Sequence, residues 1–210
     1  MTKFKRRWVV CVPVLGVLLT SLSSAIASEP QDGRELAREL HVGGYVIVMR
    51  HAASPRETPD AASAAPGNQT RERQLDADGI RTSTAMGVAL KQLKIPIGEV
   101  WSSPTFRARQ TATYAALPEP KLAEALGDGG DSMSAVGTKP ADWLREKTNQ
   151  PPGKGTNTLL ITHFPNLRSA FGDLAAGLAD GEALVFRPGD SGQAKLMGRI
   201  RIEDWPKFAN

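Results

Sequence analysis

The sequence predicts an α/β protein, a three-layer sandwich in which helices cover both faces of a mostly parallel central sheet. Two short apolar segments, residues 45–49 and 158–162, have the length and β-branched bias of buried parallel strands. Helical patterns separate the strand-like segments, and this alternation is typical of a parallel sheet. Each of the two segments is followed by a histidine, His51 and His163. Because open α/β sheets bind ligands beyond the carboxyl ends of their strands, we expect both imidazoles at the functional site.

The first 27 residues are predicted to be a secretory signal peptide. A basic segment, residues 3–7, precedes a 12-residue apolar stretch from Trp8 to Leu19, which is short for a membrane span. Ala25-Ile26-Ala27 fits a small-residue cleavage site. We therefore expect a periplasmic or secreted protein, with residues 28–210 forming a single domain and no membrane span after cleavage. The alternative is an uncleaved N-terminal anchor.

Cleavage changes what the charge and the cysteine content imply. The whole chain has 26 Lys and Arg against 22 Asp and Glu, but four of the basic residues and no acidic residue precede position 28, which leaves 22 of each. A chain of nearly zero net charge does not favour nucleic-acid binding. The single cysteine, Cys11, also lies in the leader, so no disulfide framework is expected. The mature chain, 27 residues shorter than the 210 of the precursor, is long enough for one domain with a substantial core.

Caps and loop composition predict the first helices. A short helix is expected over residues 32–40, before the first strand. Residues 52–72 are rich in Ala, Ser, Pro and Gly and are predicted to form a long loop, which at this length in a compact domain is usually either functional or disordered. A helix capped by Asp76 or Asp78 then runs to about Leu93.

Proline and glycine residues, which end helices and strands, and short apolar segments predict the elements of the second half of the sandwich. Its expected members are a strand over Glu99–Ser102, a helix from about Pro104 to Leu117, an irregular segment over 119–137, a helix starting near Pro140, the strand ending at Thr162, a helix near Asn166–Leu178, and an edge hairpin of strands 182–187 and 194–202.

Candidate functional residues follow three of the strands. Arg50 and His51 follow the first strand, Ser102 to Ala112 follows the next and contains Arg107, and His163 ends the late apolar strand. Guanidinium forks bind phosphate bidentately, and a neutral imidazole can attack phosphorus. Each signal alone is weak, but their order in an α/β chain points to phosphoryl chemistry.

This order of motifs resembles the histidine phosphatase superfamily, which has the phosphoglycerate-mutase-like fold. The family's Arg-His-Gly signature here is Arg50-His51-Ala52, and Ser102 to Ala112 matches its Ser-Ser-Pro-x-x-Arg-Ala-x-x-Thr-Ala element nearly throughout. Residues 73–79 resemble its Leu-x-x-x-Gly helix entry, and the similarity covers roughly residues 44–201. Ala52 replaces the family's glycine, so a backbone that needs a positive φ at this position would require a different loop.

The resemblance implies a role for each matching residue. His51 is the nucleophile that becomes phosphorylated, and Arg50, Arg107 and His163 surround the phosphoryl group. Guanidiniums then supply the positive charge, so no metal or other cofactor is expected. Arg109 is predicted to face away from the site, because residues two apart do not share a helix face.

The general acid distinguishes two branches of the superfamily. One branch carries an acid directly after the second histidine, where this chain has Phe164, so the other branch is indicated. That other branch places a glutamate in a Leu-x-Glu-x-x-Gly segment, which Leu122 to Gly127 resembles. Glu124 is therefore the candidate acid, with Asp128 and Asp131 as alternatives.

The resemblance and the leader together predict an exported phosphatase that hydrolyses phosphate monoesters through a phosphohistidine intermediate. The residues after Ala52 do not match the substrate contacts of the mutases, which favours a phosphatase over a phosphoglycerate mutase. Sugar phosphates and phosphorylated envelope glycans are candidate substrates. The first alternative is a catalytically weak or inactive member that binds phosphorylated ligands, and the second is a phosphatase acting on phosphohistidine in proteins.

Overall fold

A computed structural model describes Met1 and residues 32–128, 140–189 and 192–210. The predicted signal peptide after Met1 and the alternative acid Asp131 therefore lie outside the described residues. In the part of the chain that is described, no helix has the length and apolar character needed to cross a membrane.

Strands and helices alternate along the described chain. The strands are β1 (Val46–Arg50), β2 (Ile97–Ser102), β3 (Lys121–Leu122), β4 (Asn157–Thr162), β5 (Ala183–Arg187) and β6 (Lys195–Ile200). The helices are α1 (Gly33–Leu40), α2 (Ala77–Gln92), α3 (Phe106–Tyr114), α4 (Pro140–Asn149), α5 (Phe164–Phe171) and α6 (Trp205–Phe208). Short 3-10 helices occupy Glu124–Leu126, Gly172–Ala175 and Ile202–Asp204.

The strands form one mixed sheet in the order β3-β2-β4-β1-β5-β6. Strands β3, β2, β4 and β1 run parallel, with Val46 opposite Thr158 and Arg50 opposite Thr162 at the centre. Strand β5 is antiparallel to β1 and to β6, which confirms the hairpin predicted at an edge of the sheet.

Successive residues of β1 pack against opposite faces of the sheet, as the pleat of a strand requires. Ile47 and Met49 belong to an apolar cluster with α1, α2, α3 and α6. Val46 and Val48 belong to a second cluster with α4 and α5. Because both faces are covered, the strand has the continuous apolar sequence of a buried parallel strand. The predicted α/β sandwich, with a mostly parallel sheet between two helical layers, is confirmed.

The connections of β1 and β4 open a crevice between their carboxyl ends. The helix that follows β1, α2, packs on one face of the sheet, whereas the helix that follows β4, α5, packs on the other. Adjacent strands whose connections leave in opposite directions form a switch point, where α/β sheets bind ligands. The His51 amide donates to Thr162 O at 2.9 Å, so the chain leaving β1 stays against the end of β4.

Helix α2 lies close to the chain after β1 at Gly79. The Asp76 carboxylate caps this helix by accepting from the Gly79 amide at 2.7 Å, as one of the two predicted caps. A Cβ at Gly79 would lie 2.2 Å from the carbonyl oxygen of Ala53. The glycine of the Leu-x-x-x-Gly motif therefore lets the helix pack against a segment two residues beyond His51.

Several element boundaries differ from the prediction. The irregular segment expected over 119–137 contains β3 and a 3-10 helix, and its part beyond Asp128 lies outside the described residues. A two-residue strand is too short to show the alternation of apolar and polar residues that marks a strand, so the sequence could not indicate it. The helix expected near Asn166–Leu178 begins at Phe164 and ends at Phe171, because Gly172 has a φ of 55° and interrupts the α-helix.

Candidate active site

The two strand-end histidines meet in the crevice. The ring centroids of His51 and His163 lie 5.1 Å apart, with an angle of 62° between the ring planes. Both residues are buried, with 4% and 2% of their surfaces exposed. The structure therefore brings together two imidazoles that are far apart in the chain.

Arg107 joins the two imidazoles. Its Nε donates to His51 Nε2 at 3.2 Å, and its Nη2 donates to His163 Nδ1 at 3.2 Å. Helix α3 holds this side chain in the interior, with 5% exposed, whereas Arg109 on the same helix is exposed. The prediction that these two arginines face different ways is confirmed.

The guanidinium of Arg107 fixes the tautomers of both rings, because it can only donate hydrogen bonds. His51 Nε2 must be an acceptor, so the proton is on Nδ1, which donates to Ala52 O at 2.8 Å. His163 Nδ1 must also be an acceptor, so its proton is on Nε2. The lone pair that can attack phosphorus is therefore on His51 Nε2.

Hydroxyl groups of the Ser-Ser-Pro-Thr segment orient His163. Its Nε2 lies 2.9 Å from Ser103 Oγ and 3.3 Å from Thr105 Oγ1. The Ser103 amide donates to Ile161 O at 2.9 Å, which attaches this segment to β4. The contact of these hydroxyl groups with the imidazole was not predicted from the sequence. The signal that could have shown it is the pair of hydroxyls directly after a strand end.

Burial makes both imidazoles neutral at physiological pH. Loss of solvation lowers the pKa of His51 to about 3; the Ala52 carbonyl acts in the opposite direction, while the charges of Arg107 and Arg50 lower it further. The pKa of His163 is also well below its ordinary value, because of burial first and then the nearby positive charges. Neutral rings keep the lone pairs that nucleophilic attack requires.

Folding stability should fall as the pH decreases below about 6.5. An unfolded histidine binds a proton near its ordinary pKa of 6.5, whereas folded His51 does so only near pH 3, so acid favours the unfolded chain between these values. Each buried histidine contributes up to about 1.4 kcal/mol per pH unit. Urea denaturation at about pH 7 and about pH 5 should show a smaller pH-dependent loss in His163→Gln than in the wild type. Equal losses in the two proteins would contradict buried neutral rings.

Arg50 is attached to the loop that precedes β5. Its Nη1 donates to Leu178 O at 3.1 Å, and its Nη2 forms an ion pair with Asp180 Oδ1 at 2.6 Å. Its Nε is buried and has no hydrogen-bond partner among the residues that the structure describes. A buried donor without an acceptor is costly, so Nε can bind a ligand oxygen at little penalty. Asp180 was missed by sequence reasoning, because a loop aspartate far along the chain belongs to no recognisable motif.

The structure shows how Ala52 fits where the family has glycine. The non-glycine residues with positive φ are Arg71, Lys94 and Ala116 among those described, so the Ala52 backbone is in an ordinary conformation. The residue is fully buried, and its amide donates to Thr111 Oγ1 at 3.1 Å. The added methyl group therefore requires no different loop.

The two described candidates for the general acid have different positions. Glu124 begins a 3-10 helix and is exposed, and no hydrogen bond or ion pair joins it to the histidines or Arg107 in the described structure. The carboxylate of Asp128 pairs with Arg107 Nη2 and lies 3.9 Å from His163 Nδ1. The structure therefore brings Asp128, and not Glu124, to the imidazoles. A catalytic role for Glu124 stays a prediction.

A third guanidinium, that of Arg73, lies near the same crevice. It donates to Pro55 O at 2.7 Å and to Ser54 O at 3.2 Å, in the loop after β1. Its positive charge contributes to the lowered pKa of both His51 and His163. Arg73 belongs to the helix-entry motif of residues 73–79, but its position near the site was not predicted from the sequence.

No group of three His, Cys, Asp or Glu side chains in the described ranges is arranged to hold a metal ion.

Comparisons with known proteins identify the fold. No family model and no curated protein matches the sequence. Among solved structures, the protein histidine phosphatase SixA complexed with tungstate is 20% identical and has a TM-score of 0.56, covering 76% of this chain and 98% of that chain. A candidate phosphohistidine phosphatase SixA from Agrobacterium tumefaciens is 16% identical with a TM-score of 0.51, covering 75% and 97%. The chain therefore shares the fold of these solved structures, in agreement with the fold that the resemblance of its motifs to the histidine phosphatase superfamily predicts.

Proposed function

We propose that this protein is an exported phosphatase that hydrolyses phosphate monoesters through a phosphohistidine at His51. The observation that carries the proposal is Arg107, which lies between two buried, neutral imidazoles. Phosphoryl transfer needs a nucleophilic lone pair beside fixed positive charge, because negative charge spreads over the equatorial oxygens. His51 Nε2 and the adjacent guanidinium supply both.

In the first step, His51 Nε2 attacks phosphorus. The phosphoryl oxygens take over the hydrogen bonds of Arg107, and the unpartnered Nε of Arg50 supplies a further donor. The new P–N bond forms as the P–O bond to the leaving group breaks, and the leaving oxygen takes a proton from a general acid. His163, held by hydroxyl groups, contacts the same guanidinium and completes the cluster.

In the second step, water attacks the phosphohistidine. The P–N bond breaks and its electron pair returns to His51 Nε2, while the deprotonated acid accepts the proton of the water. Orthophosphate is released and the imidazole is neutral again. The two steps use one acid–base group in opposite directions, as microscopic reversibility requires.

The solved neighbours support phosphatase chemistry and suggest a second substrate class. One is a protein histidine phosphatase, and the other is a candidate phosphohistidine phosphatase. An imidazole leaving group needs less help from an acid than an alkoxide does, so hydrolysis of phosphohistidine depends less on whether Asp128 or Glu124 is the acid. Phosphohistidine is therefore the second candidate substrate, beside sugar phosphates and envelope glycan phosphates. The remaining alternative is a weak or inactive protein that binds phosphorylated ligands. Such a protein would make the same contacts with the phosphoryl group without hydrolysing the ligand.

Export remains part of the proposal because of the sequence of residues 1–27. The basic segment, the short apolar stretch and Ala25-Ile26-Ala27 support cleavage before Ser28. N-terminal sequencing of the exported protein tests this part, and a membrane-bound protein that retains Met1 would refute it.

A panel of phosphate compounds tests the activity. The processed protein should hydrolyse nitrophenyl phosphate, and its relative rates on sugar phosphates and a phosphoramidate should identify the substrate class. Loss of the true acid should slow alkyl phosphates by about 10²–10⁴-fold and nitrophenyl phosphate far less, because nitrophenolate scarcely needs a proton. We expect this pattern in Asp128→Asn, with Glu124→Gln as the matched comparison. Tight phosphate binding without turnover of any compound would instead support the inactive alternative.

A further inference from the structure

The Asp128 carboxylate occupies the side of Arg107 that the proposed phosphoryl group needs. Arg107 presents its Nε and Nη2 toward the two imidazoles, and this edge is the fork that binds an oxyanion bidentately. Nη2 is already paired with Asp128. A phosphoryl group attacked by His51 Nε2 lies against the same fork. The carboxylate and the phosphoryl oxygens therefore compete for Nη2.

Strand β4 and helix α5 hold Asp128 at this place. Thr162 Oγ1 donates to Leu126 O at 2.7 Å, and the side-chain amide of Asn166 donates to Gly127 O. Thr162 and Asn166 flank His163 in the chain, so the end of the 3-10 helix and the second imidazole share one support. The position of Asp128 beside the imidazoles is a consequence of these contacts.

The formal charges near the crevice show why a second anion disturbs this ion pair. Three guanidiniums, those of Arg50, Arg73 and Arg107, stand against the carboxylates of Asp128 and Asp180, and the histidines are neutral. The cluster thus has one net positive charge. A bound dianion would change it to one net negative charge in a partly dehydrated crevice, where unbalanced charge is costly.

We propose that a phosphoryl dianion displaces the Asp128 carboxylate from Arg107 and that the displaced carboxylate binds one proton, which it later donates to the leaving oxygen. One proton restores neutrality in the cluster. The groups facing Asp128 are Arg107 from α3, His163 after β4 and Arg73 from the loop before α2. When the dianion neutralises these cations, a carboxylate beside it holds a proton more firmly. Substrate binding itself would thus convert Asp128 into the acid that the reaction needs.

The inference rests on the proposed function in one respect, namely that the crevice binds a phosphoryl group.

Sulfate is a suitable probe because it stays dianionic at all relevant pH values. Calorimetric titration of the exported protein with sulfate, in buffers that differ in ionisation enthalpy, counts the protons taken up on binding. We expect about one proton per sulfate near pH 7 in the wild type and in Glu124→Gln, since one carboxylate is displaced per dianion.

Asp128→Asn and Asp128→Ala should both bind sulfate without proton uptake. Near pH 7 their affinity should exceed that of the wild type by at least about tenfold, because a like charge within a few ångströms of the anion is gone.

Two results separate the inference from the proposed function. Sulfate binding to the wild type without proton uptake, or uptake that persists in both Asp128 variants, would overturn the inference and leave the phosphatase proposal intact. Failure of the wild type to bind sulfate and to hydrolyse any phosphate compound would overturn both.

Discussion

Replacing His51 with alanine should lower turnover of nitrophenyl phosphate by at least about a thousandfold, the loss typical of removing a nucleophile. The reason is that His51 Nε2, which accepts a hydrogen bond from Arg107, carries the lone pair that attacks phosphorus in the proposed mechanism. The exposed His41, which contacts Lys94 O, provides a matched control, and His41→Ala should keep full activity. Turnover that persists in the His51 variant would contradict the covalent mechanism, whatever the fold.

A conservative variant separates chemistry from folding in this experiment. His51 is buried, so alanine leaves a cavity that can lower stability. His51→Asn fills more of the space but has no ring nitrogen to attack phosphorus. We expect it to bind sulfate, to unfold at a similar temperature to the wild type and to be equally inactive.

Replacing Arg107 with alanine should lower kcat/KM by at least about a hundredfold. Hydrogen bonds from a charged group contribute about 1.5–3 kcal/mol each, and two such bonds to phosphoryl oxygens exceed the ~2.7 kcal/mol that a hundredfold change requires. The side chain is buried between both imidazoles and Asp128. Steady-state kinetics with nitrophenyl phosphate measures the effect.

Arg109 is the matched control for this prediction, because it lies on the same helix and is exposed. Arg109→Ala should change kcat/KM by less than about threefold, as expected of an exposed side chain outside the site. Arg107→Lys should fall between the two, since lysine keeps the charge but loses the fork. A loss in Arg109→Ala equal to that in Arg107→Ala would reverse the assignment.

The sequence was sufficient to predict the parts of the site that local patterns encode. A continuous apolar run predicts β1 and β4 as buried strands, and residues that end adjacent parallel strands must lie close together. Helix geometry predicts that Arg107 and Arg109 face different ways, and the resemblance to the superfamily implies that Arg107 is the one in the site. These predictions succeeded because each depends on a few neighbouring residues and on the known layout of parallel sheets.

Long-range contacts account for what the sequence could not show. The spacing of the Leu-x-Glu-x-x-Gly segment pointed to Glu124, but tertiary contacts from Thr162 and Asn166 decide that Asp128 lies beside the imidazoles. Likewise, the ion pair of Arg50 with Asp180 depends on β5 lying next to β1, which no local pattern reveals.

Trapping of a phosphoenzyme tests the central claim most directly. The wild-type protein is mixed with a phosphorus-labelled substrate, quenched rapidly without acid, and digested for peptide mapping. The mechanism predicts an acid-labile phosphoryl group on the peptide that contains His51, and none in the His51→Asn variant. Steady turnover without any labelled peptide, or an acid-stable label on a serine or threonine, would contradict it.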